Sequence, residues 1–228
     1  MSFDGFSLQT LHFLDELGRN NHRDWFQANK ARYEADVVGP ALAFIAAFEK
    51  PLQKISPHFV AVPKKVGGSL MRIYRDTRFA NDKRPYKTNI GIQFRHETGK
   101  DVHCPGFYLH IEPEQVFFGA GIWHPDGPTT RRIREEIVDY PDDWKKAVQS
   151  RSFRNEWELS GDSLQRAPRD FEPDHALIDD IKRKDFIAIS SVEVDDLLSA
   201  SLVKTLAAKA KKASLLVRFL CEAIRVDF

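Results

Sequence analysis

The stretch NIGIQFR at 89–95 alternates with a period of two. Ile90, Ile92 and Phe94 fall on one side, and Asn89, Gly91, Gln93 and Arg95 on the other. That period puts successive side chains on opposite faces of a strand. FYLHIE at 107–112 repeats the pattern, with Phe107, Leu109 and Ile111 opposed by Tyr108, His110 and Glu112. Gly99 lies in the polar connection between them and suits a hairpin. Further strands are expected around Met71–Arg75, Gln115–Ala120 and Phe186–Ser190. Together they read as an antiparallel sheet with one apolar face.

Outward from the sheet the period turns helical. Ser7 suits the cap of a helix carrying Leu11, Leu14 and Leu17, with Gly18 as its stop. A second helix is expected from Asn21 through Trp25, Phe26 and Tyr33, ending at Gly39 and Pro40. A third carries Leu42, Ile45, Phe48 and Leu52 and is ended or kinked by Pro51. Helical spacing returns at Arg131–Val138 and Asp142–Gln149, near His175–Lys182, and from Asp195 to the end. A short hairpin is expected in Asn155–Arg166 around Gly161 and Asp162. With no repeat, low-complexity tract or linker, 1–228 reads as a single α+β domain, its antiparallel sheet flanked by N-terminal and C-terminal helices.

Composition narrows the function classes. The 228 residues carry a net charge of +1, which argues against coating nucleic acid by global charge, so any electrostatic argument is local. Two cysteines, an opening MSFDGFSLQT without signal-peptide character, and no apolar run of membrane-spanning length lead to the expectation of a cytoplasmic protein without a membrane partner.

The local charge lies in LMRIYRDTRFANDKRPYKT, 70–88. Arg72, Arg75, Arg78, Lys83, Arg84 and Lys87 face only Asp76 and Asp82, so six cations against two anions leave an excess of four. Tyr74, Phe79 and Tyr86 are interleaved with them. Guanidinium groups grip phosphate or carboxylate in paired hydrogen bonds, and lysine adds a mobile point charge. Arg72, Tyr74, Arg75, Arg78, Lys83, Lys87 and Tyr108 are therefore candidate ligand-binding residues. The competing reading is an internal network in which the two aspartates hold the arginines.

On a strand at 71–75, Arg72 and Tyr74 share one face. Beside neighbouring strands that face would gather Arg72, Tyr74, Gln93, Tyr108, His110 and Glu112, with His110 and Glu112 as candidate catalytic proton-transfer groups. The plainer account is a solvated polar sheet face. Other features carry less. Lys64, Lys65, Gly67 and Gly68 lack Walker spacing and read as a turn, and Gly119, Gly121 and Trp123 read as a strand end that turns sharply. His103, Cys104, His110 and His124 match no metal-ligand spacing, so no metal is assigned. No cofactor signature is present, and the oligomeric state is not encoded in any motif.

Five elements carry a resemblance: NNHRDWF (20–26), RIYRDTRFANDKRPYKT (72–88), PGFYLHIEP (105–113), FGAGIW (118–123) and LQRAPRDFEPDH (164–175). In these the chain resembles the family catalogued as domain of unknown function 2461. The resemblance implies one domain and, because the family has no established activity, transfers no catalytic residue. The leading expectation is a protein that binds a small anionic ligand, phosphate-bearing ones included, through the basic loop beside the polar sheet face. The rivals are an enzyme using His110 and Glu112, and, less favoured, a nucleic-acid-binding module.

Overall fold

A computed structural model describes residues 3–99 and 103–228. α1 (Leu8–Arg19) begins where Ser7 predicts, with Ser7 N donating to Thr10 Oγ1 at 3.4 Å, and it buries Phe13, Leu14 and Leu17. It runs past Gly18 to Arg19, and the Asn20 side-chain amide closes its end by donating to Glu16 O at 2.9 Å. α2 (Arg23–Ala28) is capped by His22, whose Nδ1 accepts from Trp25 N, and not by Asn21. Asn21 is used elsewhere, as described below.

α3 (Lys30–Arg32) passes through a π-helical turn, Tyr33–Val38, directly into α4 (Gly39–Gln53). Gly39 and Pro40 therefore do not end the second helix. The Gly39 N–H reaches back five residues to Glu34 O, and the widened turn accommodates a proline without an N–H to donate. Pro51 sits in the last turn of α4, which continues only to Gln53.

Five strands form one sheet: β1 (Ile90–Arg95), β2 (Gly106–Ile111), β3 (Val116–Ile122), β4 (Glu158–Ser160) and β5 (Phe186–Ser191). Their order is β1-β2-β3-β5-β4, and every pairing is antiparallel. Between β3 and β4 lie α5 (Gly127–Asp139), α6 (Pro141–Gln149) and α7 (Arg151–Arg154). Beyond β4 come α8 (Ile178–Ile181), α9 (Val194–Leu197) and the long α10 (Leu202–Ile224). The apolar side of the alternation, including Ile92, Phe94, Leu109, Phe118 and Ala188, is buried beneath α4 and α10. Phe48 of α4 contacts the Phe94 ring at 4.8 Å and meets Phe118 edge-on at 6.2 Å. Each such fully buried side chain stabilises the fold by roughly 1.5–3 kcal/mol relative to exposure.

Three further expectations need correction. Met71–Arg75 is not a strand. Met71 N and Gln93 N bond to Gly91 O and Ser69 O, and then the chain changes partner, with Arg75 N bonding to Pro85 O and Lys87 N to Ile73 O. The switch leaves only isolated bridges at Leu70–Ile92 and Tyr74–Tyr86. Asn155–Arg166 is not a self-paired hairpin, because its Glu158–Ser160 segment pairs with β5. The terminal helix is not continuous from Asp195, since α9 stops at Leu197 and α10 starts at Leu202.

Candidate functional site

The register aligns three rows of residues across the sheet face opposite α4 and α10. Gln93, Tyr108, Gly119 and Ile189 form the middle row, Arg95, Gly106, Gly121 and Ile187 lie to one side, and Gly91, His110 and Phe117 to the other. The alternation that packs Phe118 and Ala188 inward turns the side chains of Gln93, Tyr108, Ile187 and Ile189 outward, whereas a Cβ on Gly106 or Gly121 would run into the backbone of Phe94 or Phe186 on the neighbouring strand. Glycines at 106, 119 and 121 leave the centre without side chains. A cavity of about 400 Å³ opens there, with Met71, Tyr108, Phe117, Trp123, Ile187 and Ile189 among its walls. Gly119 and Gly121, read from sequence as a turning strand end, lie within β3 and form part of this floor.

Met71 covers the part of this face that the sequence assigned to Arg72 and Tyr74. A Cβ on Gly91 would come within 2.9 Å of Met71 Sδ and 2.8 Å of Tyr108 Oη, so glycine there permits both to close over the strand. Arg72 is exposed. Ile73 is buried, and Tyr74, about half exposed, leans on the Phe26 and Tyr86 rings.

Tyr108, His110 and Glu112 do come together. Tyr108 Oη lies 3.2 Å and Asn89 Nδ2 3.4 Å from His110 Nδ1, while Glu112 Oε2 is 3.4 Å from Nε2. Two donors directed at Nδ1 favour the tautomer with its proton on Nε2. That proton faces Glu112 without well-formed hydrogen-bond geometry, and Glu112 Oε1 accepts from Gln115 Nε2 at 2.6 Å. The His110 ring stacks on Phe117 at 4.6 Å. Burial lowers the His110 pKa, only partly offset by the Glu112 charge, so the imidazole is neutral near pH 7. Burial likewise pushes the Tyr108 phenol up to about 12.

The basic loop is held by its own aspartates. Asp76 takes Arg78 at 2.7 Å, and Asp82 takes Arg75 at 2.6 Å and Arg84 at 2.8 Å. Lys83 Nζ donates to Thr77 O. The Arg78 hydrogen bonds lower the Asp76 carboxyl to about 2, and those of Arg84 and Arg75 hold Asp82 below the usual carboxylate range. Asn21 anchors the base of the loop, donating to Tyr86 O and accepting from Tyr86 N, both at 3.0 Å. The Phe26 ring stacks on Tyr86 at 4.2 Å. The cations left over are Arg72 and Lys87. Among the described residues neither has a carboxylate within salt-bridge distance, and both oxygens of Asp76, the acid whose pKa Arg72 helps to lower, are engaged by Arg78. Lys87 is partly buried, and that burial, followed by repulsion from Arg72, lowers its pKa.

Sequence reading missed a second polar feature. Buried Asp185 accepts from His124 N at 2.8 Å and Asp162 N at 2.9 Å, and its Oδ1 lies 2.8 Å from His124 Nδ1. It ties the turn after β3, where His124 has φ of 47°, to the turn after β4. No local pattern marks this pairing, because its partners are 61 residues apart. Among the described residues no group of three or more His, Cys, Asp or Glu gathers as a metal site, and no helix is long and apolar enough to cross a membrane.

A family model described as "Conserved hypothetical protein (DUF2461)" matches residues 9–219. The chain belongs to this family. Among DUF2461 residues quoted above, NNHRDWF and RIYRDTRFANDKRPYKT meet in space, since Asn21 and Phe26 of the first hold Tyr86 of the second. No curated protein and no solved structure matches the chain.

Proposed function

We propose that this protein binds a small anionic ligand beside the polar edge of its open sheet face, with Arg72 and Lys87 supplying the positive charge. The observation that carries this is the division of the basic segment. Arg75, Arg78 and Arg84 have aspartate partners, whereas Arg72 and Lys87 are neighbouring cations with none in salt-bridge range among the described residues. Two adjacent cations, one partly buried, repel each other until an anion lies between them, and the same charges make strong hydrogen bonds to phosphate or carboxylate. Lys87 lies three residues before β1 begins at Ile90, and Asn89 between them sets its side-chain Nδ2 3.4 Å from His110 Nδ1 on the polar face, so the charge stands near the entry of the chain into the sheet. On this reading Arg75, Arg78 and Lys83 shape the loop, and Tyr108 lines the site.

The enzyme reading keeps one specific observation, the 3.4 Å approach of Glu112 to His110 Nε2. It ranks second because a neutral, ring-stacked histidine already engaged at Nδ1 has less capacity to transfer protons.

A thermal-shift comparison of inorganic phosphate, pyrophosphate, ribose 5-phosphate and single-stranded DNA, on wild type and Arg72→Ala, tests the proposal. A bound anion raises the wild-type midpoint as its concentration exceeds Kd, and Arg72→Ala loses most of that rise. Absence of any anion-induced rise in wild type overturns it, and a rise with single-stranded DNA alone moves the reading to a nucleic-acid module.

A further inference from the structure

We infer that the cavity on the open sheet face takes an apolar carboxylic acid of roughly ten carbons, its carboxylate held by Arg95 and its chain lying against Met71, Phe117, Ile187 and Ile189. This is a second ligand site, independent of the function proposed above, since neither Arg72 nor Lys87 lines the cavity.

Arg95 is the one charged residue among the described lining residues. Strand alternation buries Phe94 and sends Arg95, the last residue of β1, to the opposite face. Its Nε donates to Gly99 O at 2.9 Å, and Gly99 packs so closely on Cys104 that an added Cβ would meet Cys104 Sγ at 2.9 Å. Cys104 itself lines the cavity, so the bond to Gly99 holds the guanidinium beside it. The terminal nitrogens, Nη1 and Nη2, have no hydrogen-bond or carboxylate partner among the described residues, and neither is a buried orphan of the kind that Gln93 Oε1 is. Arg95 is only partly buried, so both nitrogens are reachable.

Two free terminal nitrogens side by side match the two oxygens of a carboxylate in a paired hydrogen bond. No second cation among the described residues lines the cavity to balance a dianion, which selects carboxylate over phosphate. No acid among them lines it either, so an entering anion meets no like charge, whereas an ammonium would face Arg95. The other walls decide what carries the carboxylate. Met71, Phe117, Ile187 and Ile189 offer aliphatic and aromatic surface, and Trp123 stands 47% exposed at the rim. An apolar chain removes that surface from water, and the water it displaces no longer screens the guanidinium from the carboxylate. The volume of about 400 Å³ lies towards the small end of ligand cavities and suits a chain of medium length.

The test uses decanoate, 1-decanol, decylamine and acetate as probes at neutral pH. Affinities are measured by calorimetry and by tryptophan fluorescence, which Trp123 reports from the cavity wall, on wild type, Arg95→Met and Gly119→Val. The expected result is that decanoate binds wild type at least tenfold tighter than 1-decanol, with decylamine weaker still and acetate not saturating. Arg95→Met removes the advantage of the acid and leaves 1-decanol unchanged. A Cβ at Gly119 meets its nearest neighbours at 3.6–3.9 Å, ordinary contact, so Gly119→Val fills the cavity and weakens acid and alcohol alike. Equal binding of decanoate and 1-decanol, or no binding of decanoate, overturns the inference. So does acetate binding as tightly as decanoate, or an acid advantage that survives in Arg95→Met. Because Arg95→Met also gives up the bond to Gly99 O, the wild-type comparison of acid, alcohol and amine decides the matter if that variant does not fold.

Discussion

Replacing Lys87 by methionine should make this protein more stable and less able to hold an anion. The side chain is partly buried beside Arg72, and its backbone N–H bond to Ile73 O, 2.7 Å, survives substitution. Methionine keeps an unbranched stem of similar reach, removes one partner of a like-charge pair, and no longer asks the site to desolvate an ammonium. Relief of an unfavourable charge at a partly exposed site is worth about 0.5–1.5 kcal/mol. For a chain of this size that is a rise in midpoint of roughly 1–6 °C. Arg75→Met provides the opposite sign, because it breaks the 2.6 Å pair with Asp82, and should lose about 0.5–1 kcal/mol. Urea titration at low salt, with the slope checked for constancy, measures both differences. A phosphate titration of the same samples should raise the midpoint of wild type and leave Lys87→Met unmoved. Loss of more than about 1 kcal/mol in Lys87→Met would refute the reasoning, since it would mean that Lys87 already has a stabilising partner.

Three other predictions concern the frame around the site. Asp185→Ala strands two backbone N–H groups and the His124 ring, and should cost about 2–4 kcal/mol, read as a fall in midpoint of roughly 5–15 °C. Asn21→Ala leaves both backbone groups of Tyr86 without their partner, and should cost about 1–3 kcal/mol while speeding amide exchange at Tyr86. His110 has a folded-state pKa below its ordinary 6.5, so the unfolded chain takes up its proton first as pH falls. Stability therefore declines through that window, and His110→Gln should flatten the pH dependence of unfolding between about 7 and 5. An unchanged slope in His110→Gln would show that the imidazole is not held neutral.

Much of this arrangement was legible in the sequence wherever neighbours along the chain decide it. Period-two alternation located β1 and β2, and it placed Gln93, Tyr108, His110 and Glu112 on one face, while β3 falls where a strand is expected around Gln115–Ala120. The aspartates of the basic loop stand two residues before Arg78 and Arg84, so their capture of those arginines is a local event. The departures arise where a distant partner decides. Segment 69–75 has strand-like residues but divides its hydrogen bonds between Gly91 and Pro85, which ends the ladder and exchanges Met71 for Arg72 over the polar face. The Glu158–Ser160 strand is too short to show a period, and its edge position is set by β5. The glycine floor consists of residues from two strands, unremarkable in either, that become adjacent only in register. His124 and Asp185 likewise meet only in the fold.

The central claim is that Arg72 and Lys87, not the paired arginines, receive the anion. The most direct test is a ¹H–¹⁵N correlation experiment on side-chain and backbone groups during titration with inorganic phosphate. The account predicts saturable shifts at Arg72 Nε, Lys87 Nζ and the Lys87–Gly91 amides, with Arg75, Arg78 and Arg84 Nε nearly unmoved. Shifts concentrated at Arg75, Arg78 and Arg84, or none at Arg72 and Lys87, would contradict it.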